Sequence, residues 1–249
     1  MKNAFPRLLF KAAGYLRLGR LFLSSPGDAA VLRGVRKEAL TYLDLPALLD
    51  LYTTVKEIEQ KGVEGAILEC GCALGGSALV IAAAKARTRT FRVYDAFGMI
   101  PPPSERDGRD AQDRYELIRA GLSPGLKGRT YYGYQENLYE TVVDTFRRYG
   151  FDLAGERIEL IKGLYQDVLS VNEPVALLHL DSDWYDSVMV CLTRVVPHLA
   201  PGGRIIVDDY DEWSGCRRAI HDFFSDHPEK DRFRFEMHAR LHILYSKMS

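Results

Sequence analysis

An apolar run, Leu177 to Leu180, drives straight into three acids, Asp181, Asp183 and Asp186, and a second run, Gly203 to Val207, ends in the adjacent pair Asp208 and Asp209. If both runs are buried strands lying side by side, their ends crowd like charges at the rim of a sheet. Such crowding is costly unless a cation neutralises it. Three hard oxygen ligands with open positions for substrate and water suit Mg²⁺, or a similar divalent cation, better than zinc, because no Cys or His cluster accompanies them. Asp181, which directly ends its run, and the pair Asp208 and Asp209 are the candidate ligands. Asp183 and Asp186 stand where acids commonly cap a helix and complement its dipole. His179, inside the run, reads as a core histidine.

A second group of residues suits a nucleoside. The stretch Ile67 to Ser77, ILECGCALGGS, is an apolar strand ending in Glu69 and a glycine-rich turn that opens a helix. Gly71, Gly75 and Gly76 would let the backbone pass close to a ligand. As a dinucleotide fingerprint the turn would use Gly71, Ala73 and Gly76, with alanine where a glycine must admit a pyrophosphate. The carboxylate of Glu69 would also repel a pyrophosphate, whereas it suits a ligand carrying an amino group and a sulfonium. The E-x-G-x-x-x-G shape is the one S-adenosylmethionine enzymes use. Asp95, ending FRVYD, sits where an acid can accept ribose hydroxyls, or else cap the following segment. Gly163, Tyr165 and Gln166 follow a third strand, where an adenine ring would need a flat face and an amide. The candidate cofactor set is thus Glu69, Gly71, Gly75, Ser77, Asp95, Gly163, Tyr165 and Gln166, with Asp181 bordering both groups.

The elements that must position these residues follow from the alternation of short apolar runs with amphipathic stretches from residue 64 onward. That pattern predicts βαβ units and a parallel sheet covered on both faces. The C-terminal FRFEMHARLHILYSK reads as two strands joined by a tight bend, an antiparallel edge to the sheet. Residues 35 to 60 read as two short helices or a kinked pair interrupted at Pro46. Residues 98 to 135, rich in Pro, Gly and Tyr, form an insertion between the second strand and the next helix, with a lid as the expected role. Residues 1–60 are expected to be a helical extension, lid or interface, and 61–249 the catalytic domain. The opening 22 residues carry Lys2, Arg7, Lys11, Arg17 and Arg20 among apolar residues without an acid, which as a helix would suit a membrane surface or a partner, and more simply packs its apolar face on the domain, over the site or on a neighbouring subunit, so that a homo-oligomer is expected.

Composition excludes little else. With 249 residues, 47% hydrophobic and 27% charged, and a net charge of −1, the chain suits a single globular domain rather than a nucleic-acid binder. Its four cysteines form no CxxC pair and no cleavable signal precedes them, so a cytoplasmic setting is expected. No apolar run is long enough to span a bilayer.

From residue 35 to the C-terminus the sequence resembles the macrocin O-methyltransferases. The resemblance rests on GVEGAILECGCALGGS, VYDAFG, the stretch from ENLYETVV to IKGLYQDVL, LHLDSDWYDS and LAPGGRIIVDDYDEWSGCRRAIHDFF. The D-x-D-x-Y-x-S block followed by P-G-G and V-D-D-Y is its most specific part. It implies a Rossmann-like class I methyltransferase fold, α/β, with a mostly parallel seven-stranded sheet, helices on both faces and an antiparallel C-terminal hairpin. It also implies S-adenosylmethionine- and Mg²⁺-dependent methylation of a sugar hydroxyl in natural-product biosynthesis. In that family the matching acids, Asp181, Asp208 and Asp209, hold the metal, and Asp181 is a candidate base. Cys70, Cys72, Ala73 and Leu74 depart from the usual ETGVWRGG-like loop. Trp184 stands where catechol-type relatives place a lysine base, which argues against that subclass, while a phenolic or catecholic acceptor stays the nearest alternative because chelation of two adjacent oxygens would work identically. A nicotinamide dinucleotide oxidoreductase is disfavoured by Glu69, Ala73 and the acid cluster.

Overall fold

In the computed structural model, which describes residue 19, residue 21 and residues 23–246, the alternation resolves into a sheet of seven strands. The basic opening segment lies almost wholly outside the described residues, and with it the contact expected there. Five strands run parallel: β1 (Ala66–Cys70), β2 (Phe91–Asp95), β3 (Ile158–Lys162), β4 (Val175–Leu180) and β5 (Leu199–Val207). The expected hairpin, β6 (Phe233–Met237) and β7 (Leu241–Tyr245), adds two antiparallel strands at one edge. The order is β3-β2-β1-β4-β5-β7-β6, so the chain winds outward from β1 and then returns to its other side at β4. The crevice beyond the carboxyl ends of β1 and β4 is therefore where a ligand is accommodated.

Burial on both faces explains the nearly continuous apolar strands. Ile67 of β1 packs with Leu48, Val55, Leu79 and Phe91 on one side, whereas Leu68 and Cys70 pack with Leu178, Val188, Leu192 and Ile205 on the other. The first layer uses α1 (Pro26–Lys37), α2 (Leu45–Gln60), α3 (Gly76–Ala84) and α5 (Leu138–Arg148). The second uses α7 (Tyr185–Val195) and α8 (Ser214–Ser225). Each fully buried Leu or Ile contributes roughly 1.5–3 kcal/mol.

Two expectations are refined. Pro46 does not interrupt a helix; it lies in the first turn of α2, where its missing N–H costs nothing, and Asp44 caps that turn by accepting the Ala47 N–H at 3.0 Å. The break between helices falls earlier, at residues 38–44. The insertion 98–135 has structure of its own: α4 (Arg109–Arg119) and two short 3₁₀ turns, with Ala111, Ile118 and Tyr131 buried.

The insertion is tied to the second helical layer by its own acids. Asp107 accepts the Tyr185 N–H at 2.8 Å, and Asp110 accepts both the N–H and the hydroxyl of Ser214 at 2.8 and 2.7 Å. Each acid thus serves the start of a helix distant in sequence, α7 or α8, satisfying donors that the helix cannot. The Trp184 indole N–H donates to the Pro101 carbonyl at 2.9 Å.

Candidate active site

Adjacent parallel strands in register bring the acids together. The Asp181 N–H continues the β4 ladder onto the Cys70 carbonyl, and the Asp208 N–H continues β5 onto the Leu180 carbonyl, both at 2.9 Å. One carboxylate oxygen from each of Asp181, Asp208 and Asp209 lies within 4.8 Å of the other two. Burial first, and then the charges of Asp208, Asp209 and Asp183, push the Asp181 carboxyl well above the ordinary range. Asp209 is raised in the same way, by burial, Asp183 and Asp208. Asp183 is pushed up to about 6, mainly by burial.

Asp183 does not cap α7. It adopts a left-handed backbone, φ +56°, accepts the Trp213 indole N–H at 2.8 Å, and donates its own N–H to Asp209 at 3.0 Å. Asp186, exposed in the first turn of α7, suits the helix dipole.

The acids open into a cavity of about 660 Å³. Gly71, Ala73, Asp95, Gly163, Tyr165 and Gln166 line it beside Asp181, Asp208 and Asp209. Glu69, Gly75 and Ser77 stand behind that lining. Glu69 is fully buried and pairs with Nδ1 of His179 at 2.9 Å, across the β1–β4 register; its second oxygen has no hydrogen-bond partner. His179 is thus a core histidine with an acidic partner.

The loop glycines answer first to the protein itself. A Cβ on Gly71, at φ +93°, would lie 1.7 Å from the Asp181 carbonyl oxygen, so glycine there lets β1 and β4 end side by side. At Gly75, φ +82°, a Cβ would meet Val142 at 2.9 Å. Asp95 organises the same loop: its Oδ2 accepts the Cys72 and Ala73 N–H groups at 2.8 and 3.1 Å, and its Oδ1 accepts Phe97 at 2.7 Å. Three of roughly four acceptor positions on that carboxylate are thereby filled by the protein's own backbone. Burial raises its pKa despite those bonds.

Tyr165 and Gln166 open a one-turn helix, α6 (Tyr165–Val168), whose carbonyls are pinned by Arg194; its guanidinium donates to Tyr165, Leu169 and Gln166 at 2.7–2.9 Å. Ser182 lines the cavity with a buried hydroxyl that no protein group satisfies. Such an orphan is what a polar ligand would satisfy.

Several lining residues carried no sequence signal. Arg240, from the bend of the hairpin, donates to Asp208 at 2.6 Å. Arg114 of α4 lies 5.7 Å from the Tyr131 ring centroid and borders the same space. Tyr42, Tyr131 and Tyr132 form an aromatic wall, and Trp184 and Trp213 meet edge-on at 5.4 Å. A tyrosine-rich insertion was the sole hint of that wall. Tyr185, a possible base from its position in the acidic block, faces away: its hydroxyl donates to Asp222 at 2.8 Å and accepts from Arg106. Among the described residues no histidine lines the cavity.

Comparison with known proteins follows the same lines. The family profile described as Macrocin-O-methyltransferase (TylF) matches residues 37–233. Mycinamicin III 3''-O-methyltransferase of Micromonospora griseorubida is 29% identical over 200 residues, covering 78% of this chain and 73% of its own length. The 8-demethyl-8-(2,3-dimethoxy-alpha-L-rhamnosyl)-tetracenomycin-C 4'-O-methyltransferase of Streptomyces olivaceus is 30% identical over 192 residues, 74% of this chain and 67% of its own. Among solved structures, the O-methyltransferase NovP superposes with a TM-score of 0.67 at 24% identity, over 84% of this chain and 83% of its own. The shared fold is the Rossmann-like class I methyltransferase architecture.

Proposed function

The chain belongs to the macrocin O-methyltransferase family of S-adenosylmethionine-dependent O-methyltransferases, and from that premise we propose that it methylates a hydroxyl of a sugar on a glycosylated natural product, with a divalent cation, Mg²⁺ first among them, held by Asp181, Asp208 and Asp209. The observation that carries this reading is the opening of three convergent carboxylates into the same cavity as the loop at the end of β1. The Streptomyces olivaceus relative is, by its name, an O-methyltransferase of a rhamnosyl-bearing tetracenomycin, and the Micromonospora relative an O-methyltransferase of mycinamicin III.

The donor set fits a hard divalent cation. Asp181 accepts no hydrogen bond from a described side chain, Asp209 keeps one oxygen beyond its bond to Asp183, and Asp208 keeps one beyond Arg240. All-oxygen ligation is what Mg²⁺ takes. When bound, S-adenosylmethionine supplies an electrophilic methyl on a sulfonium, and the cation supplies a Lewis-acidic charge that makes a chelated hydroxyl more acidic.

The chain's own residues then do four things. The β1 loop, fixed by Asp95, and the α6 turn, fixed by Arg194, form the wall against which the nucleoside is held. Asp181, at the junction of both halves of the cavity, would take the proton of the acceptor hydroxyl as the methyl group is transferred. Tyr42, Tyr131 and Tyr132 offer apolar ring faces with polar edges, the surface a sugar presents C–H groups to. The insertion covers the acceptor side and excludes water. No helix among the described residues is long and apolar enough to cross a membrane.

The test is methyl incorporation from S-adenosylmethionine into a panel of deoxysugar glycosides and, in parallel, simple catechols. Glycoside methylation that chelator abolishes and Mg²⁺ restores is the expected result. Methylation of catechols alone would overturn the sugar reading, and activity unaffected by chelator would remove the cation.

A further inference from the structure

We infer that Arg240 is the resident counter-cation of the acid cluster and lowers its affinity for a divalent ion; the inference rests on the cation reading proposed above. Its Nε donates to Oδ1 of Asp208 at 2.6 Å and its Nη1 to the neighbouring Ala239 carbonyl at 3.0 Å. Among the described residues no other basic side chain bonds to Asp181, Asp208 or Asp209. The pair is largely withdrawn from solvent, with side-chain exposures of 26% for Arg240 and 13% for Asp208, so its charge is screened little.

The arginine is held on a fixed arm. Asp50 of α2 accepts the Ala239 N–H and pairs with Nε2 of His242, each at 3.1 Å, and the rings of His238 and His242 stack 4.3 Å apart. Asp50, His238 and His242 also converge closely enough to suggest a second metal group. Yet Nδ1 of His242 faces Arg204 at 3.4 Å, which leaves the Nε2 proton directed at Asp50. The trio is therefore the anchor that clamps the hairpin bend to α2 and aims Arg240 at Asp208.

A fixed guanidinium on one ligand acts in two opposed ways. It orients Asp208, which favours ion binding, and it places a positive charge beside the position an ion would take, which opposes it. Orientation needs only a donor, whereas repulsion needs the charge. Arg240→Gln retains a donor and removes the charge; Arg240→Lys retains the charge.

Calorimetric titration of the purified full chain with MnCl₂ or MgCl₂ alone tests the inference. Arg240→Gln is expected to bind the ion about tenfold more tightly than the wild type, and Arg240→Lys to stay near the wild-type value. The ion-free Arg240→Gln protein is also expected to melt roughly 2–4 °C lower, and added ion to restore the loss. Unchanged or weaker ion binding by Arg240→Gln, with the wild type binding normally, overturns the role of Arg240 alone. So does an Arg240→Lys protein that binds about tenfold more tightly than the wild type, a readout that stands if the Gln variant does not fold. No binding by any of the three proteins overturns the cation reading and this inference together.

Discussion

Asp181 is where the two halves of the cavity meet, because the same strand end that abuts the Gly71 loop also abuts Asp208. Asp181→Asn keeps the size and the backbone bond to Cys70 but removes a charge and the proton acceptor. Turnover is expected to fall by about 10²–10⁴, the range for loss of a positioned acid–base group. S-adenosylhomocysteine affinity, measured by calorimetry, should change little, since the loop beside it is held by Asp95. A fully active variant would remove Asp181 from the chemistry. At this scale the acids were legible in the sequence because a carboxylate following an apolar run has few roles. The glycine loop suggests room for a ligand, whereas Gly71 and Gly75 first make room for Asp181 and Val142. Sequence shows that a Cβ is absent and not what would have met it. Arg240 was invisible for a related reason: its partner is 32 residues away and is set by strand order.

The insertion is an element whose boundaries the proline and glycine content announced and whose attachment it concealed. Asp107 and Asp110 look like ordinary acids of a polar loop, yet they cap α7 and α8, the helices that follow the two acidic strand ends. The insertion is thereby coupled to both of the turns proposed to hold the cation. Ser214 hydrogen bonds outweigh the effect of burial and hold the Asp110 carboxyl below its usual range. Asp110→Ala should cost about 1 kcal/mol, the typical loss of a cap. Read as melting temperature, that is roughly 2–4 °C. If the insertion covers the acceptor, KM for the acceptor should also rise while cofactor affinity holds. A stability loss with no change in KM would make the insertion packing alone. Pro46 teaches the converse: a residue that punctuates sequence lies here in the first turn of α2, which needs no N–H from it.

Across the whole molecule, the alternation of apolar runs fixed the parallel core and the final bend fixed the antiparallel edge, because each depends on local pattern. Strand order and the long-range ties of α2 do not. That helix reaches the hairpin through Asp50 and, at its other end, grips the β1–β2 connection through Glu59. Glu59 receives two bonds from the Arg89 guanidinium, at 2.6 and 3.1 Å, and the Ala86 N–H at 3.0 Å, while Arg89 also donates to the Gly65 carbonyl. Burial raises the Glu59 pKa, but those bonds outweigh it and hold the carboxyl below its usual value. A depressed acid contributes stability that is fully present above its unfolded pKa, about 4.3, and that is lost as pH falls through the lower folded value. Charge-assisted bonds of this kind contribute roughly 1.5–3 kcal/mol. Glu59→Gln should therefore be less stable than the wild type by about that amount at pH 7 in denaturant melts. The gap should hold down to about pH 5 and then narrow, because acid protonates the wild-type carboxyl and the variant has none to lose. A gap of constant size down to pH 3 would mean that the shape of the contact, and not its charge, is what ties α2 to the sheet.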